Sequence, residues 1–403
     1  MEKLNSYKRS TITAHQKWII LGIIYLLLNP SLIAQPHCAR ELTKETQTWF
    51  YRLAQAAKEG IPYYSQFDQY PARNQNTLKS DYEKKTGVNL LVYGLDFYYA
   101  SGSWFPSEYK KRCRKNIISI VKNAWSKYKA IPCFSWHLEN PYVPSNFNNY
   151  MGCRYRYGIK GYPAEHRYVI KEILENTGDS CGWGNYQKEN NFKVYKNPSQ
   201  WFNARCQEVA GIIRELKDDN GNPIPIIFRL WHECDNNWQW WGKNFVTPKD
   251  YIHFFRLTVN KIEEYTGTHN ILYAYSPDRF WNEEEEFLLR YPGNEYVEMI
   301  GFDDYSIGTN SINLNSTICR AQIITKIAQR YNKIAALFET ANSHIQTNDH
   351  FFNKYLKSVI RAKDVNLGLI QIWSTGKIDT EKEIQDRTDF LKGNIVKTFN
   401  DFK

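Results

Sequence analysis

The stretch Ile226-Ile-Phe-Arg-Leu-Trp-His-Glu233 reads as a short β-strand that runs out onto a histidine and a carboxylate. Working outward, candidate strands fall at Ile61–Ser65, Leu90–Asp96, Ala130–His137, Ile224–His232, Ile271–Ser276, Val297–Asp303, Ile334–Glu339 and Leu367–Trp373. Between them lie longer segments whose apolar residues recur every three or four positions, which is helical spacing. Examples are Glu108–Tyr128, Pro198–Lys217, Pro248–Thr266, Ile318–Tyr331 and His350–Ala362. Strands alternating with helices imply a parallel sheet, and eight strands are the number that closes a (β/α)8 barrel. A doubly wound open sheet is the rival. It would ordinarily carry a Gly-rich phosphate loop after the first strand, and Tyr63–Tyr70 has none.

Polar and aromatic residues gather at the strand C-termini: Asp96, Trp136-His137, His232-Glu233, Asp303-Asp304-Tyr305, Glu339 and Trp373. In a barrel these ends converge on one mouth, where active sites lie. The irregular stretch from Asn140 to Asn197 after the third strand is too long for a simple connection and is expected to wall that mouth. No Gly/Ser linker, low-complexity tract or short repeat interrupts the chain, so one domain is expected from about residue 40 to 403.

Residues 1–34 are expected to be a signal peptide. Lys3, Lys8, Arg9 and Lys17 precede the apolar run Trp18 to Leu28. That run is too short to span a bilayer comfortably. Cleavage is expected after Ala34, although Leu32 is an imperfect neighbour for it, so an uncleaved anchor is the lesser alternative. Removing the four basic residues and one Glu of the leader lowers the formal charge from +10 to +7. The basic residues are scattered, which argues against a phosphate track and a nucleic-acid partner. The aromatic load is more telling: 16% of the chain, with 13 Trp. Flat rings with a polar edge suit stacking on sugars, whose faces are apolar and whose rims are hydroxyls.

The eight cysteines show no C-x-x-C pair and no zinc spacing. Export permits disulfides, and Cys153 and Cys181, which bracket one irregular stretch, are the expected pair. Cys133, Cys206 and Cys234 sit in or beside apolar elements and read as buried free thiols.

Glu233 and Glu339 each end an apolar strand, where a carboxylate is costly to bury without a partner. Either alone would serve an ion pair as readily as a reaction. Facing across one mouth they read as a functional pair. Retaining glycosidases hold two carboxyls ~5–5.5 Å apart, one protonating the leaving oxygen and the other attacking the anomeric carbon. One must therefore stay protonated near neutrality while the other stays ionised.

The stretch Arg229-Leu-Trp-His-Glu-Cys-Asp-Asn-Asn-Trp-Gln-Trp-Trp-Gly242 resembles the acid/base segment of glycoside hydrolase family 26, the β-mannanases, which usually reads R-x-x-H-E-M-N-x-x-W-F-W-W-G. Tyr93-Gly-Leu-Asp96, Ser135-Trp-His-Leu-Glu-Asn-Pro141, Tyr275-Ser-Pro-Asp278, Gly301-Phe-Asp-Asp-Tyr305 and Phe338-Glu-Thr340 agree in order. The resemblance implies a retaining mechanism with Glu233 as acid/base and Glu339 as nucleophile. It implies that His232 positions substrate, Tyr305 bonds the nucleophile, His137 contacts the sugar, and Trp238 and Trp373 form stacking platforms. It implies cleavage of β-1,4-mannosidic bonds in mannan or galactomannan, without metal or other cofactor. The leader of residues 1–34 makes a secreted, periplasmic or cell-surface location the expectation, and a monomer is expected.

Departures mark where that reading is open. Cys234-Asp235 replaces the usual Met-Asn, and an Asp235 close to Glu233 would raise the affinity of Glu233 for its proton. Ser374 follows Trp373 where many mannanases carry Arg, and Tyr64-Ser-Gln-Phe-Asp68 matches the family only loosely. Trp240 and Trp241 read as packing residues. Asp303 and Asp304 read as caps of the next helix, with no catalytic role. Exo-action releasing mannobiose, or action on β-1,3-xylan or mixed-linkage glucan, is the alternative within the same chemistry. A carbohydrate-binding barrel that has lost the reaction is the alternative outside it.

Overall fold

The computed structural model describes residues 40–67, 81–102, 105–142, 168–182, 193–308, 310–342, 350–373 and 380–399. The leader, Cys38, Cys153, Ser374 and most of the segment after the third strand lie outside the described residues.

Eight strands form one parallel sheet: β1 Tyr63–Gln66, β2 Val92–Asp96, β3 Ile131–Ser135, β4 Ile226–Arg229, β5 Ile271–Tyr275, β6 Met299–Asp303, β7 Ile334–Thr340 and β8 Leu369–Ile372. Their order is β1-β8-β7-β6-β5-β4-β3-β2, so the first and last strands in sequence are neighbours. A parallel bridge between Phe67 and Gly94 brings the free edges of β1 and β2 together and nearly closes the barrel. Only glycine allows that approach, because a Cβ on residue 94 would lie 2.6 Å from the Phe67 Cα. The expected (β/α)8 fold is the observed one, and each expected strand is present; most are trimmed at their ends, while β1 runs on to Gln66 and β7 to Thr340.

Local chemistry explains the helices. Asn197 and Thr247 each accept a backbone N–H in the first turn of Pro198–Glu215 and Pro248–Thr266, with proline at the start of both. In Pro248–Thr266 the buried residues Tyr251, Phe254, Phe255, Thr258, Val259 and Ile262 form one stripe against the sheet. The helix expected from Ile318 begins at Ser311, under an Asn310 cap. Its first turns are polar, with Ile312 exposed, so apolar spacing could not reveal them. The segment expected as helix His350–Ala362 is a π-helical turn, Phe351–Leu356, running into a short α-helix, Lys357–Ile360. Helices Lys44–Glu59 and Glu381–Lys392 stand before β1 and after β8.

Cys133, Cys206 and Cys234 are buried free thiols, as expected. Burial pushes the Cys133 and Cys234 thiols up to about 12. Cys181 is also a buried free thiol; its expected partner, Cys153, lies outside the described residues. Among the described residues no helix is long and apolar enough to cross a membrane.

Candidate active site

β4 ends on Arg229, an arginine inside an apolar strand and fully buried. Such a charge is costly to bury unless anions face it. Its Nη1 donates to both carboxylate oxygens of Asp303, at 2.9 and 2.7 Å, and to Ser276 Oγ at 3.3 Å. Its Nη2 donates to Ser135 Oγ at 3.3 Å and, in close contact, to Glu339 Oε1. One guanidinium therefore ties together residues of β3, β4, β6, β7 and the loop after β5.

Glu339 reaches that guanidinium through an irregularity in the sheet. Phe302 lies opposite Leu337, but Asp303 lies opposite Glu339, so Phe338 is an extra residue in β7. A bulge of this kind re-aims the following side chain. The second oxygen of Glu339, Oε2, accepts the Tyr305 hydroxyl at 2.7 Å. Both oxygens thus face donors, the surroundings that suit an anion.

Glu233 sits in a tight turn instead of a strand. Its φ is 55° and that of Trp231 is 46°, both in the left-handed region that non-glycine residues avoid. The turn is over-determined. The Glu233 N–H donates to Ser276 O at 2.8 Å, Tyr251 OH to Trp231 O at 2.8 Å, and Trp241 Nε1 to His232 O at 2.8 Å. Gly242 closes it: a Cβ there would meet the Asn236 carbonyl oxygen at 2.1 Å. Trp240 and Trp241 are buried packing residues, as expected. Burial, then the nearby Asp303 and Asp278 carboxylates, push the Glu233 carboxyl up to about 8; Trp238 and Arg229 pull the other way. The Trp238 indole Nε1 donates to Glu233 Oε2 at 2.6 Å while the ring stays exposed.

One oxygen from each of Glu233, Asp303 and Glu339 lies within 4.8 Å of the other two. Such proximity would suit a cation, but Arg229 already supplies positive charge to two of the three.

The opposite wall is a chain of rings. Asp96 Oδ2 meets His137 Nδ1 at 2.5 Å, and His137 Nε2 meets His232 Nε2 at 3.1 Å. His232 has no exposed surface, and burial together with Arg229 and His137 holds its imidazole well below the usual range, in the neutral form. It therefore stands behind His137, which keeps some exposure to the mouth. Trp373 stacks on Phe67 at 3.9 Å and 16°, with its edge toward His137 at 5.8 Å.

The residues expected from sequence, Glu233, Glu339, His137, His232, Trp238, Tyr305 and Trp373, come together at this mouth. Three others were missed. Asp303 is a partner of Arg229 and no helix cap; the capping residue is Asn310. Asp304 does serve structure, accepting from Ser306 N–H, Thr317 Oγ1 and Arg320 Nη1. Arg229 was visible as a charge inside an apolar run, and Asp96 as a strand-end carboxylate. The carboxylates that raise Glu233 are Asp303 and Asp278; Asp235, which would do so if it came close, bonds the Asp278 backbone N–H instead.

Residues 180–382 match the sequence pattern of glycosyl hydrolase family 26. The chain is 28% identical over 313 residues to a mannan endo-1,4-beta-mannosidase of Bifidobacterium adolescentis, covering 75% of this chain but only 27% of that protein. It is 25% identical over 320 residues to a mannan endo-1,4-beta-mannosidase of Bacillus subtilis, covering 74% of this chain and 76% of the other. Among solved structures it resembles GH26C from Muricauda sp. MAR_2010_75, with a TM-score of 0.71, 24% identity and coverage of 92% and 94% of the two chains. A GH26 β-mannanase from Bacteroides ovatus has a TM-score of 0.69, 20% identity and coverage of 89% and 96%. With half its length matched by the family pattern, and with both strand-end glutamates in one cleft, the chain belongs to glycosyl hydrolase family 26.

Proposed function

We propose that the chain is an endo-acting β-1,4-mannanase that works with retention of configuration. The observation that carries the reading is the opposed setting of two carboxyls within 4.8 Å: Glu233 raised to about 8, Glu339 between the Arg229 guanidinium and the Tyr305 hydroxyl. An oxygen of each within 4.8 Å of the other is in keeping with the ~5–5.5 Å separation of retaining enzymes rather than the ~6.5–9.5 Å of inverting ones.

In this mechanism Glu339 attacks the anomeric carbon, the bond to the leaving oxygen breaks, and Glu233 gives its proton to that oxygen. Glu233, now a carboxylate, takes a proton from water, which attacks the same carbon and releases Glu339. Arg229 and Tyr305 aim Glu339 before attack. Trp373, backed by Phe67, offers a flat face to a sugar ring, and His137 lines the wall beside it. Mannan as the backbone is supported by the mannan endo-1,4-beta-mannosidases among the relatives. Export by the leader at residues 1–34 belongs to the same reading, because a polymeric substrate lies outside the cell.

The test is to incubate the purified chain with mannan, galactomannan, xylan and glucan and to size the products over time. A ladder of manno-oligosaccharides is expected. Disaccharide alone from the first minutes overturns endo-action, and preference for another polymer overturns the substrate. Glu233→Ala and Glu339→Ala should each abolish turnover while mannan binding persists; near-wild-type hydrolysis by either sinks the assignment.

A further inference from the structure

Beside the acid/base lie two further carboxyls, Asp278 buried and Asp235 half-buried, that the reaction scheme does not use. The loop after β5 runs Tyr275-Ser-Pro-Asp278. Its backbone is held on both sides of the site: Ser276 O accepts the Glu233 N–H at 2.8 Å, and Pro277 O accepts the Asp303 N–H at 3.1 Å. Asp278 is thereby fixed against the Glu233 turn, and it is only 6% exposed. Its Oδ2 accepts Asn236 Nδ2 at 2.6 Å, and its backbone N–H donates to Asp235 Oδ1 at 2.7 Å. Asp235 and Asn236 belong to the same turn as Glu233, so the turn carries the acid/base and grips Asp278 at once.

We infer that Asp278, braced by Asp235 and Asn236, is a positioning residue whose negative charge holds the proton on Glu233 until the leaving oxygen takes it. This rests on the acid/base role given to Glu233 above.

The groups facing Glu233 come from every side of the mouth: Asp303 from β6, Asp278 from the loop after β5, Arg229 from β4, Glu339 from β7, and the Trp238 N–H from its own turn. Asp303 is matched by the Arg229 guanidinium. The Asp278 carboxylate meets the neutral Asn236 amide and the neighbouring Arg279, whose side chain is exposed. Its field at Glu233 is therefore the one a substitution can remove without stranding a buried cation. Asp278 itself is pushed up to about 6 by burial and by Asp235, against Asn236 and Arg279. It is thus ionised in the range where Glu233 must keep its proton. Asp235 is raised as well, by burial first. Position 235 usually carries Asn in family 26, so the additional carboxyl is a feature of this chain.

The Trp238 indole N–H bonds Glu233 directly, so its NMR resonance reports the titration of that carboxyl without any need for substrate. The experiment uses the full chain labelled with 15N-tryptophan, the resonance being identified by its loss in Trp238→Phe. Asp278→Asn keeps an acceptor for Asn236 and removes the charge. The titration midpoint should fall by roughly one pH unit, and the alkaline limb of kcat/KM on mannan should fall with it. Asp278→Glu should restore both. Asp278→Ser is a second neutral variant should the Asn form not fold, with the same downward shift expected. An unchanged midpoint in a folded neutral variant overturns the proposal. A wild-type chain that hydrolyses no polysaccharide overturns the function instead, and leaves the Trp238 titration readable.

Discussion

The two sides of the barrel mouth hold chemically identical glutamates in opposite surroundings. On the β6–β7 side, Glu339 ends a regular strand after a one-residue bulge and takes donors on both oxygens. On the β4–β5 side, Glu233 rides a strained turn, faces two further carboxylates and receives one indole N–H. The difference teaches how one cleft can hold two carboxyls in opposite protonation states, as the proposed acid and nucleophile require. Position along the barrel brings the carboxyls within reach, and their neighbours decide which holds the proton. Arg229 stands between the two sides and is shared unequally, bonding Asp303 and Glu339 but not Glu233.

Removing that shared cation should break the contrast most severely. Arg229→Met leaves Asp303 and Glu339 buried without their counter-ion, so unfolding free energy should drop by about 3–5 kcal/mol and hydrolysis should vanish. A denaturant melt at the wild-type midpoint would show that the guanidinium is not the hub. The next largest effect sharpens the acid side. Glu233 is raised from 4.5 to about 8, so the native state keeps a proton that the unfolded chain releases. Its stabilisation is present below pH 4.5 and is lost as pH rises through about 8. Glu233→Gln does not titrate, and it should gain stability over wild type across that window, on the order of a few kcal/mol. Thermal melts of the two proteins across the window check it; a constant gap would mean the carboxyl is not raised. Smallest is Tyr305→Phe, which removes one hydrogen bond to a charged acceptor, worth about 1.5–3 kcal/mol. Turnover should fall roughly 10- to 100-fold with the fold intact, and an unchanged kcat would separate Tyr305 from the nucleophile.

The barrel was legible because eight apolar runs each ended in polar or aromatic residues, and neither feature needs a three-dimensional context. Glu233, Glu339 and Tyr305 followed from the same pattern. Arg229 carried a signal that went unread: a guanidinium inside an apolar strand demands buried anions. An Asp shortly before a helix reads as a cap, which hides the pairing of Asp303 with Arg229. That pairing joins β6 to β4, and the bulge at Phe338 that aims Glu339 at the same guanidinium is equally invisible to a local pattern. Asp278 lies in a loop, and its closeness to Glu233 follows from how two loops cross. The His232 side chain is wholly buried, and Trp241, further along the same turn, folds back to donate to the His232 carbonyl. The length of the motif from His232 to Gly242 is explained by that return, with glycine required where the turn meets its own backbone.

The seam between β1 and β8 has a consequence for how the protein comes into being. Ser65 Oγ donates to Gln371 Oε1 across 306 residues of sequence, and Tyr63 pairs with both Leu369 and Lys397. Contacts this distant cannot form until nearly the whole chain has emerged from the ribosome, and such non-local pairings slow folding. Until then β1 and β2 each present a bare apolar edge, the kind of surface that chaperones cover and that aggregates recruit. Closure of the ring therefore waits on its most distant pairing in sequence, whereas the residues of the mouth come from β3 through β7.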